Sequence, residues 1–344
     1  MKGQVRLGVL GLTHDHIWDN LKDVQHLKDA RLIAVADPNH PLLDRAAREY
    51  SCATYTDYET MLEKEELHAV LVYSDNATGV EVAEQAAARG LHLLVEKPMA
   101  ATLAGADRML AAVRVAKVRL MVNWPIAWWP QLQKALALVK WGEIGDIWQV
   151  KYRAAHAGPK EMGCSPYFSD WLYNAELNGA GALVDYCCYG AVLARQFLGV
   201  PSRVTGVAGR FVKEDITVDD NAVLLMTYPR GLAIAEASWT QIGHLTSYVV
   251  MLYGTKGTLV IQPGEDGKLL HASDKNPDGV VVKAPKSPAH LRNATAHFVH
   301  CLRTGEEFTS LCNDRFARDA QEILEAGLLA ASTGAEVSLP LKGV

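Results

Sequence analysis

A carboxylate and a phenol stand four residues apart in the run Gly179-Ala180-Gly181-Ala182-Leu183-Val184-Asp185-Tyr186-Cys187-Cys188-Tyr189. The stretch from Ala182 to Leu198 reads as an apolar helix closed by Gly199, so Asp185 and Tyr189 share one of its faces. A polar pair on an apolar helix needs either a partner or a function. It is a satisfied buried pair, or it is acid–base machinery, with the phenol passing a proton to oxygen and the carboxylate orienting its neighbours. Lys97, in Leu94-Val95-Glu96-Lys97-Pro98-Met99-Ala100, is the cation to set beside them, although a Lys before a turn proline is by itself an ordinary surface feature.

A second group of polar residues follows the first apolar run. Val5 to Leu10 leads into Gly11-Leu12-Thr13-His14-Asp15-His16. A G-x-G-x-x-G turn at such a place lets a pyrophosphate approach the backbone at a helix N-terminus. Here Gly11 stands alone, and Thr13 and His16 hold the other two glycine positions. Asp37, after Ala34-Val35-Ala36, is placed to accept both hydroxyls of a ribose and to repel a 2′-phosphate; no Arg follows it, which predicts NAD rather than NADP. An Asp-Pro pair also opens turns and caps helices. His14 and His16 raise the question of a metal shared with Asp15. No second ligand cluster is visible, so no metal is expected, and helix capping or phosphate contact accounts for both imidazoles.

The elements that must position these groups divide the chain in two. Its 344 residues are enough for two domains, and 49% hydrophobic with 21% charged residues is a globular composition. With 34 Lys and Arg against 39 Asp and Glu, the net charge of −5 argues against a nucleic-acid binder. No apolar run reaches the roughly 20 residues of a membrane span, and Met1 to Leu12 reads as a retained strand rather than a signal peptide. The six cysteines form no C-x-x-C pair, and a reduced cytoplasmic setting is expected. Apolar runs at Val5–Leu10, Leu32–Ala36, Ala69–Tyr73 and His92–Val95, separated by helices such as Glu81–Arg89, predict a parallel sheet covered on both faces. The pattern breaks at Asn123-Trp124-Pro125-Ile126-Ala127-Trp128-Trp129-Pro130. Beyond it, Ala222–Tyr228 with Leu232–Trp239 and Ser247–Tyr253 with Thr258–Ile261 read as hairpins, which Ile147–Arg153 and Arg203–Gly209 could join. Helices return at Leu291–Arg303 and Asp314–Ser332.

Glu96-Lys97-Pro98 at the end of the fourth run resembles the hallmark of the Gfo/Idh/MocA oxidoreductases. Asp57 to Leu62 resembles the family's third-strand region, Gly142-Glu143-Ile144-Gly145-Asp146-Ile147 the opening of its second domain, and Gly254-Thr255-Lys256-Gly257-Thr258-Leu259 its Y-G-T-x-G hairpin. Val337 to Leu341 fits its C-terminal pattern, so the resemblance covers nearly the whole chain. Asp185 and Tyr189 match the branch with Tyr in place of His: glucose–fructose oxidoreductase, xylose dehydrogenases and dimeric dihydrodiol dehydrogenase. Ala180 and Cys187 replace family glycines, Val192 a family Asp, Gly79 a frequent His and Pro125 a frequent Arg.

This resemblance implies an α/β fold: a doubly wound parallel Rossmann sheet in residues 1–123, then a domain over 124–344 with a large open, mainly antiparallel sheet for substrate binding and oligomerisation. It implies hydride transfer between NAD(P) and a sugar, polyol or related small hydroxy or carbonyl compound. Lys97, Tyr189 and Asp185 are its catalytic candidates, with the proton carrier either Tyr189 or Lys97. A cation near Tyr189 is expected to lower its pKa. Gly11, Leu12, Thr13, His14, Asp37, Ser74, Asn76, Glu96, Lys97 and Asn123 are expected at the cofactor, NAD before NADP. His156 and Trp171, with Asp185 and Tyr189, are expected at the substrate. A homodimer or homotetramer through the C-terminal sheet is implied, and neither nucleic acid nor membrane is an expected partner. Two rivals use the same fold: a non-catalytic nucleotide sensor, and an enzyme whose tightly held nicotinamide is an internal redox carrier.

Overall fold

The computed structural model describes residues 3–264 and 267–342. Met1, at the head of the leading segment, and residues 343–344, at the end of the second half, lie outside the described residues.

The first sheet is built from β1 (Val5–Leu10), β2 (Ala30–Ala36), β3 (Ala53–Tyr55), β4 (Ala69–Val72), β5 (His92–Glu96) and β6 (Leu120–Asn123). The strands lie in the order β3-β2-β1-β4-β5-β6 and pair in parallel. Helices α1 (His16–Gln25), α2 (His40–Tyr50), α3 (Tyr58–Lys64), α4 (Thr78–Ala88) and α5 (Leu103–Ala116) make the connections. Every residue of β4 and β6 is buried, which is why these strands read as unbroken apolar runs. The strand order reverses between β1 and β4, and ligands of such sheets bind in the crevice beyond those strand ends. Residues 58–64, expected as part of a strand region, form α3 instead; the Asp57 carboxylate caps it by accepting from the Thr60 N–H. The strand itself is the short, half-exposed β3 just before, too brief to show a period.

The second sheet has nine strands. After α6 (Pro130–Lys140) come β7 (Ile147–Ala155), α7 (Pro166–Leu172), α8 (Ala175–Asn178) and α9 (Cys188–Leu198). Then follow β8 (Arg203–Gly209), β9 (Asn221–Tyr228), β10 (Gly231–Ser238), β11 (Tyr248–Gly254), β12 (Thr258–Ile261), β13 (Leu269–Ser273) and β14 (Asn276–Val282). Helices α10 (Ala294–Thr304) and α11 (Asp314–Thr333) and the short β15 (Val337–Ser338) complete the chain. The order is β14-β13-β12-β11-β7-β10-β9-β8-β15, antiparallel except for β10 with β7. Alternation sets its two faces: β9 buries Ala222, Leu224, Met226 and Tyr228, while Val223 and Leu225 point to solvent. The sheet is therefore covered by α9 and α11 on one side and open on the other. The hairpin β13–β14 escapes sequence patterning because β13 is short and half-buried without alternation and β14 is mostly exposed.

The two sheets meet along a polar seam. Asn178 is fully buried; it accepts from the Asn76 amide at 2.8 Å, and its own amide donates to the carbonyls of Ala180 at 2.5 Å and Leu172 at 3.2 Å. The Ala77 N–H donates to the Leu177 carbonyl across the same seam. On the other flank α10 and α11 return to the first sheet, where Thr295 donates to Asn20 and Arg318 pairs with Asp107. His297 on α10 accepts the Thr309 N–H through Nε2 at 2.9 Å, and burial lowers its pKa to about 4.

The seam sets two expectations for stability. Asn178→Ala strips the Asn76 amide of its main acceptor and should cost on the order of 2 kcal/mol in urea unfolding; an unchanged midpoint refutes the latch. His297 binds its proton only below about 4 when folded but near its ordinary value when unfolded. The unfolded chain therefore holds more protons between those values, and stability should fall as the pH drops through that window. The slope of urea midpoint against pH should flatten in His297→Gln.

Candidate active site

Lys97 follows β5 at the crevice edge, and its side chain crosses the seam. Its Nζ donates to Asp185 Oδ1 at 2.6 Å and to the Asp185 carbonyl at 3.1 Å, and both residues are buried. Burial acts to lower the Lys97 pKa; the charge of Asp185, with Cys188 and Glu96, outweighs it, so the net direction is up and the ammonium is retained. The same Nζ lies 5.0 Å from the ring centre of Tyr189 and 5.5 Å from that of Tyr186. Cation, carboxylate and phenol are thus brought together from residues 97, 185 and 189.

The turn carrying Asp185 departs from the continuous α-helix expected over Ala182–Leu198. Leu183–Cys187 form a π-helical turn, with α9 following directly. Wider i→i+5 turns of this kind are frequent at functional sites. The turn is held at its start by Asp219, whose carboxylate accepts from the N–H groups of Gly181 and Leu183 at 2.7 Å each. Gly181 is required there, since a Cβ would lie 2.0 Å from the Asp219 carbonyl oxygen. The π turn brings Tyr186 to the same cavity as Asp185 and Tyr189. Sequence reasoning missed both Tyr186 and Asp219: a helical period places the first elsewhere, and the second is remote in the chain.

These groups line a cavity of about 120 Å³ with Asp15, His16, His156, Phe168 and Leu172. His156 accepts the Gly158 N–H on Nδ1 at 2.9 Å, which leaves Nε2 as the protonated nitrogen. Burial pushes its pKa down to about 4, so the ring is neutral and offers an N–H. Burial raises Tyr189 well above the ordinary phenol, and Cys188, Tyr152, Glu96 and Asp185 push the same way. This reverses the lowering expected from Lys97. Trp171 turns away from the cavity and packs on His14, with ring centres 5.8 Å apart, while its neighbours Phe168 and Leu172 face inward.

The first loop is more heavily committed than a glycine-rich turn. Gly11 has φ +91, and a Cβ there would lie 2.4 Å from the Ser74 nitrogen, so this loop rests directly on the loop after β4. Asp37 is fully buried: Oδ2 accepts from the Leu12 N–H at 2.6 Å, and Oδ1 from the Asn39 N–H and side-chain amide at 2.7 and 2.8 Å. Thr13 is half-buried, and His14 is buried against Phe168 at 4.3 Å. Asp15 accepts from the Ser165 N–H and hydroxyl at 2.7 and 2.6 Å, fastening the start of α7 over the loop. Ser74 donates to the Asp75 carbonyl, and the Asn76 amide is spent on Asn178.

Glu96 is buried under this loop. Oε1 contacts His16 Nδ1 at 2.9 Å and accepts the Asn123 amide at 2.8 Å; Oε2 accepts the Lys97 N–H at 2.7 Å. Asn123 in turn accepts the Trp128 indole N–H at 2.9 Å. A ring nitrogen of His14, one of His16 and a Glu96 oxygen all lie within 4.8 Å of one another. The carboxylate beside the two histidines is thus Glu96 of β5 rather than Asp15, whose oxygens are taken by Ser165.

The crevice fits a dinucleotide in its strand order and its close first turn. It departs from the usual arrangement at Asp37, whose carboxylate is occupied by the protein's own N–H groups. Among the described residues no helix is long and apolar enough to cross a membrane.

Comparison with known proteins agrees with this architecture. Residues 5–124 match the family described as oxidoreductase family, NAD-binding Rossmann fold, and residues 132–260 match the GFO/IDH/MocA C-terminal domain. The chain is 26% identical to dTDP-3,4-didehydro-2,6-dideoxy-alpha-D-glucose 3-reductase of Saccharopolyspora spinosa, across 96% of this chain and 97% of that one. It is 27% identical to D-apiose dehydrogenase of Paraburkholderia graminis, across 96% and 88%. The aldose-aldose oxidoreductase of Caulobacter crescentus, in complex with glycerol, superposes with a TM-score of 0.84 at 21% identity, over 98% of this chain and 100% of that one. With both of its sheets matched in this way, the chain belongs to the Gfo/Idh/MocA family of NAD(P)-dependent oxidoreductases.

Proposed function

We propose that this protein is an NAD-dependent dehydrogenase or reductase acting on a CH–OH group or the matching carbonyl of a sugar, polyol or related small compound. The observation that carries the reading is the buried Lys97–Asp185 pair with Tyr189 beside it, at the cavity next to the crevice. The relatives' names, a sugar-nucleotide reductase and an apiose dehydrogenase, support the substrate class.

When bound, the nicotinamide supplies or accepts the hydride. Gly11, Leu12, Thr13 and His14 would hold the pyrophosphate side, with Ser74 and Asn76 bordering the cofactor; Asp37 would meet a ribose only by exchanging one of the N–H groups it now accepts, and the Asn76 amide by leaving Asn178. Glu96, Lys97 and Asn123 border the nicotinamide end. The buried charge of Asp37 supports NAD over NADP, since a 2′-phosphate would approach a carboxylate. At the substrate, Tyr189 is a neutral phenol and Lys97 a retained ammonium, so both are donors. In the reductive direction Tyr189 gives its proton to the oxygen on which negative charge develops, and Lys97 stabilises that charge. Asp185 fixes the Lys97 ammonium, and the His156 Nε2–H orients a second substrate oxygen. Asp15 and Asp185 outnumber Lys97 among the charges of the lining, which disfavours anionic substrates.

A sensor that binds dinucleotide without turnover is the second reading, favoured by a first loop that keeps Gly11 alone of the three glycines, with Thr13 and His16 in the other two places. The open sheet face bears on assembly: Val207 lies opposite Val223, and these and Leu225 are 63%, 46% and 40% exposed. We read this face as the surface of a homodimer or homotetramer.

Three outcomes test this reading. Calorimetry on ligand-stripped protein should give micromolar NAD binding, with NADP at least about tenfold weaker; binding of neither removes the dinucleotide reading. In a screen of sugars and polyols, turnover should fall about a thousandfold in Lys97→Ala and about a hundredfold or more in Tyr189→Phe. Tight NAD binding with no turnover on any substrate selects the sensor, and nicotinamide surviving purification points to an internal redox carrier. A Val223→Lys, Leu225→Lys variant should elute as a monomer; an unchanged elution volume rejects the sheet interface.

A further inference from the structure

Glu96 is a buried carboxylate with no lysine or arginine side chain in direct contact. Its three contacts are the Lys97 N–H, the Asn123 amide and His16 Nδ1. The Lys97 ammonium is turned instead to Asp185. Among the described residues no other cationic side chain forms an ion pair with Glu96. A buried carboxylate in this state costs several kcal/mol unless a cation shares the site. The groups that surround it are two imidazoles from the first loop, and the three ligand atoms already lie within 4.8 Å of one another. Glu96 is locked by Lys97 and Asn123, as the carboxylate ligand of a metal is locked by outer hydrogen bonds.

We propose that His14, His16 and Glu96 form a binding site for a first-row divalent transition metal ion of the Zn²⁺ type. Two imidazoles and one carboxylate are a donor set for such ions, whereas Mg²⁺ and Ca²⁺ prefer oxygen alone. Ligand atoms about 2 Å from a tetrahedral ion stand roughly 3.3 Å apart. The His16–Glu96 contact of 2.9 Å is close to that spacing, so closure needs a shift of the His14 ring. On binding, the hydrogen bond between His16 and Glu96 gives way to one metal–nitrogen and one metal–oxygen bond, and the proton on that ring nitrogen moves to the other nitrogen of the same imidazole. Burial keeps the His14 ring neutral, and its Nδ1, which accepts the His16 N–H at 3.3 Å, turns that lone pair to the ion as the ring shifts. His16 also lines the cavity that holds Lys97 and Tyr189, which puts the proposed ion beside that cavity. The proposal does not rest on hydride transfer.

The test uses the full chain, stripped with a chelator and without nicotinamide. Zn²⁺ is titrated by calorimetry, and Co²⁺ is followed by its visible ligand-field bands. One ion per chain is expected, with a micromolar or tighter constant and Co²⁺ bands of a four- or five-coordinate site. His14→Ala and His16→Ala should each weaken Zn²⁺ binding at least about tenfold, while Mg²⁺ gives no heat. Glu96→Gln is the third variant; the two histidine variants keep the test decisive if it fails to fold. Absence of a Zn²⁺ isotherm in the unaltered chain overturns the site and leaves the His16–Glu96 contact as a hydrogen bond alone. Equal binding in unaltered and His14→Ala protein places the metal elsewhere and overturns it too. The NAD titration of the metal-free chain gives its answer independently of either result.

Discussion

The ion pair between Lys97 and Asp185 governs the arrangement of the site. A lysine at the end of a central strand is buried by the domain that covers it, and desolvation alone would discharge it. The carboxylate that keeps it charged comes from the other sheet's domain. The pair is therefore a chemical device and an alignment constraint together: the seam must close in one register for the charges to meet. The Asn76–Asn178 contact and the Asp219 cap on the π turn serve that register, because a shift of about one ångström between the domains would leave two buried charges apart.

The first loop shows the same economy under a different demand. Where a glycine-rich turn leaves backbone bare for a pyrophosphate, this one carries side chains and satisfies them internally. Asp37 takes three N–H donors from the loops around it, and Asp15 ties α7 down by Ser165. The resulting cavity, about 120 Å³, is lined by Phe168 of α7, which with Trp171 packs on His14. The hydrogen bonds that fasten α7 to the first loop are the two from Ser165 to Asp15, at one helix start.

Much of this architecture is legible in the amino-acid sequence. Parallel strands buried on both faces stand out as apolar runs, so β1 appears at its observed bounds and β2, β4 and β5 within two residues. The Glu96-Lys97-Pro98 run and the Asp185–Tyr189 spacing already single out the central trio. What stays hidden follows from physics that a local pattern does not carry. β3 and the β13–β14 hairpin are short or exposed, so no burial imposes a period on them. The π turn changes which side chains share a face, which hides Tyr186. Asp37 has the residue type and place of a ribose ligand, but only the folded loop reveals that its lone pairs are already used. Glu96 is visible as part of a motif, while its approach to His14 and His16 depends on the pairing of β1, β4 and β5.

Charge at the site then has a direct consequence. Lys97 pairs with Asp185 and its ammonium also feels the charge of Glu96, while Asp15 is satisfied by neutral donors. Asn123 and the Lys97 N–H meet Glu96 with dipoles, and His16 completes its contacts. The cation proposed above would share Glu96 with the two imidazoles between the first loop and β5, beside the cavity. The buried carboxylate of the family's hallmark motif is in this chain both the anchor of the lysine backbone and the source of a field that selects what binds in front of it.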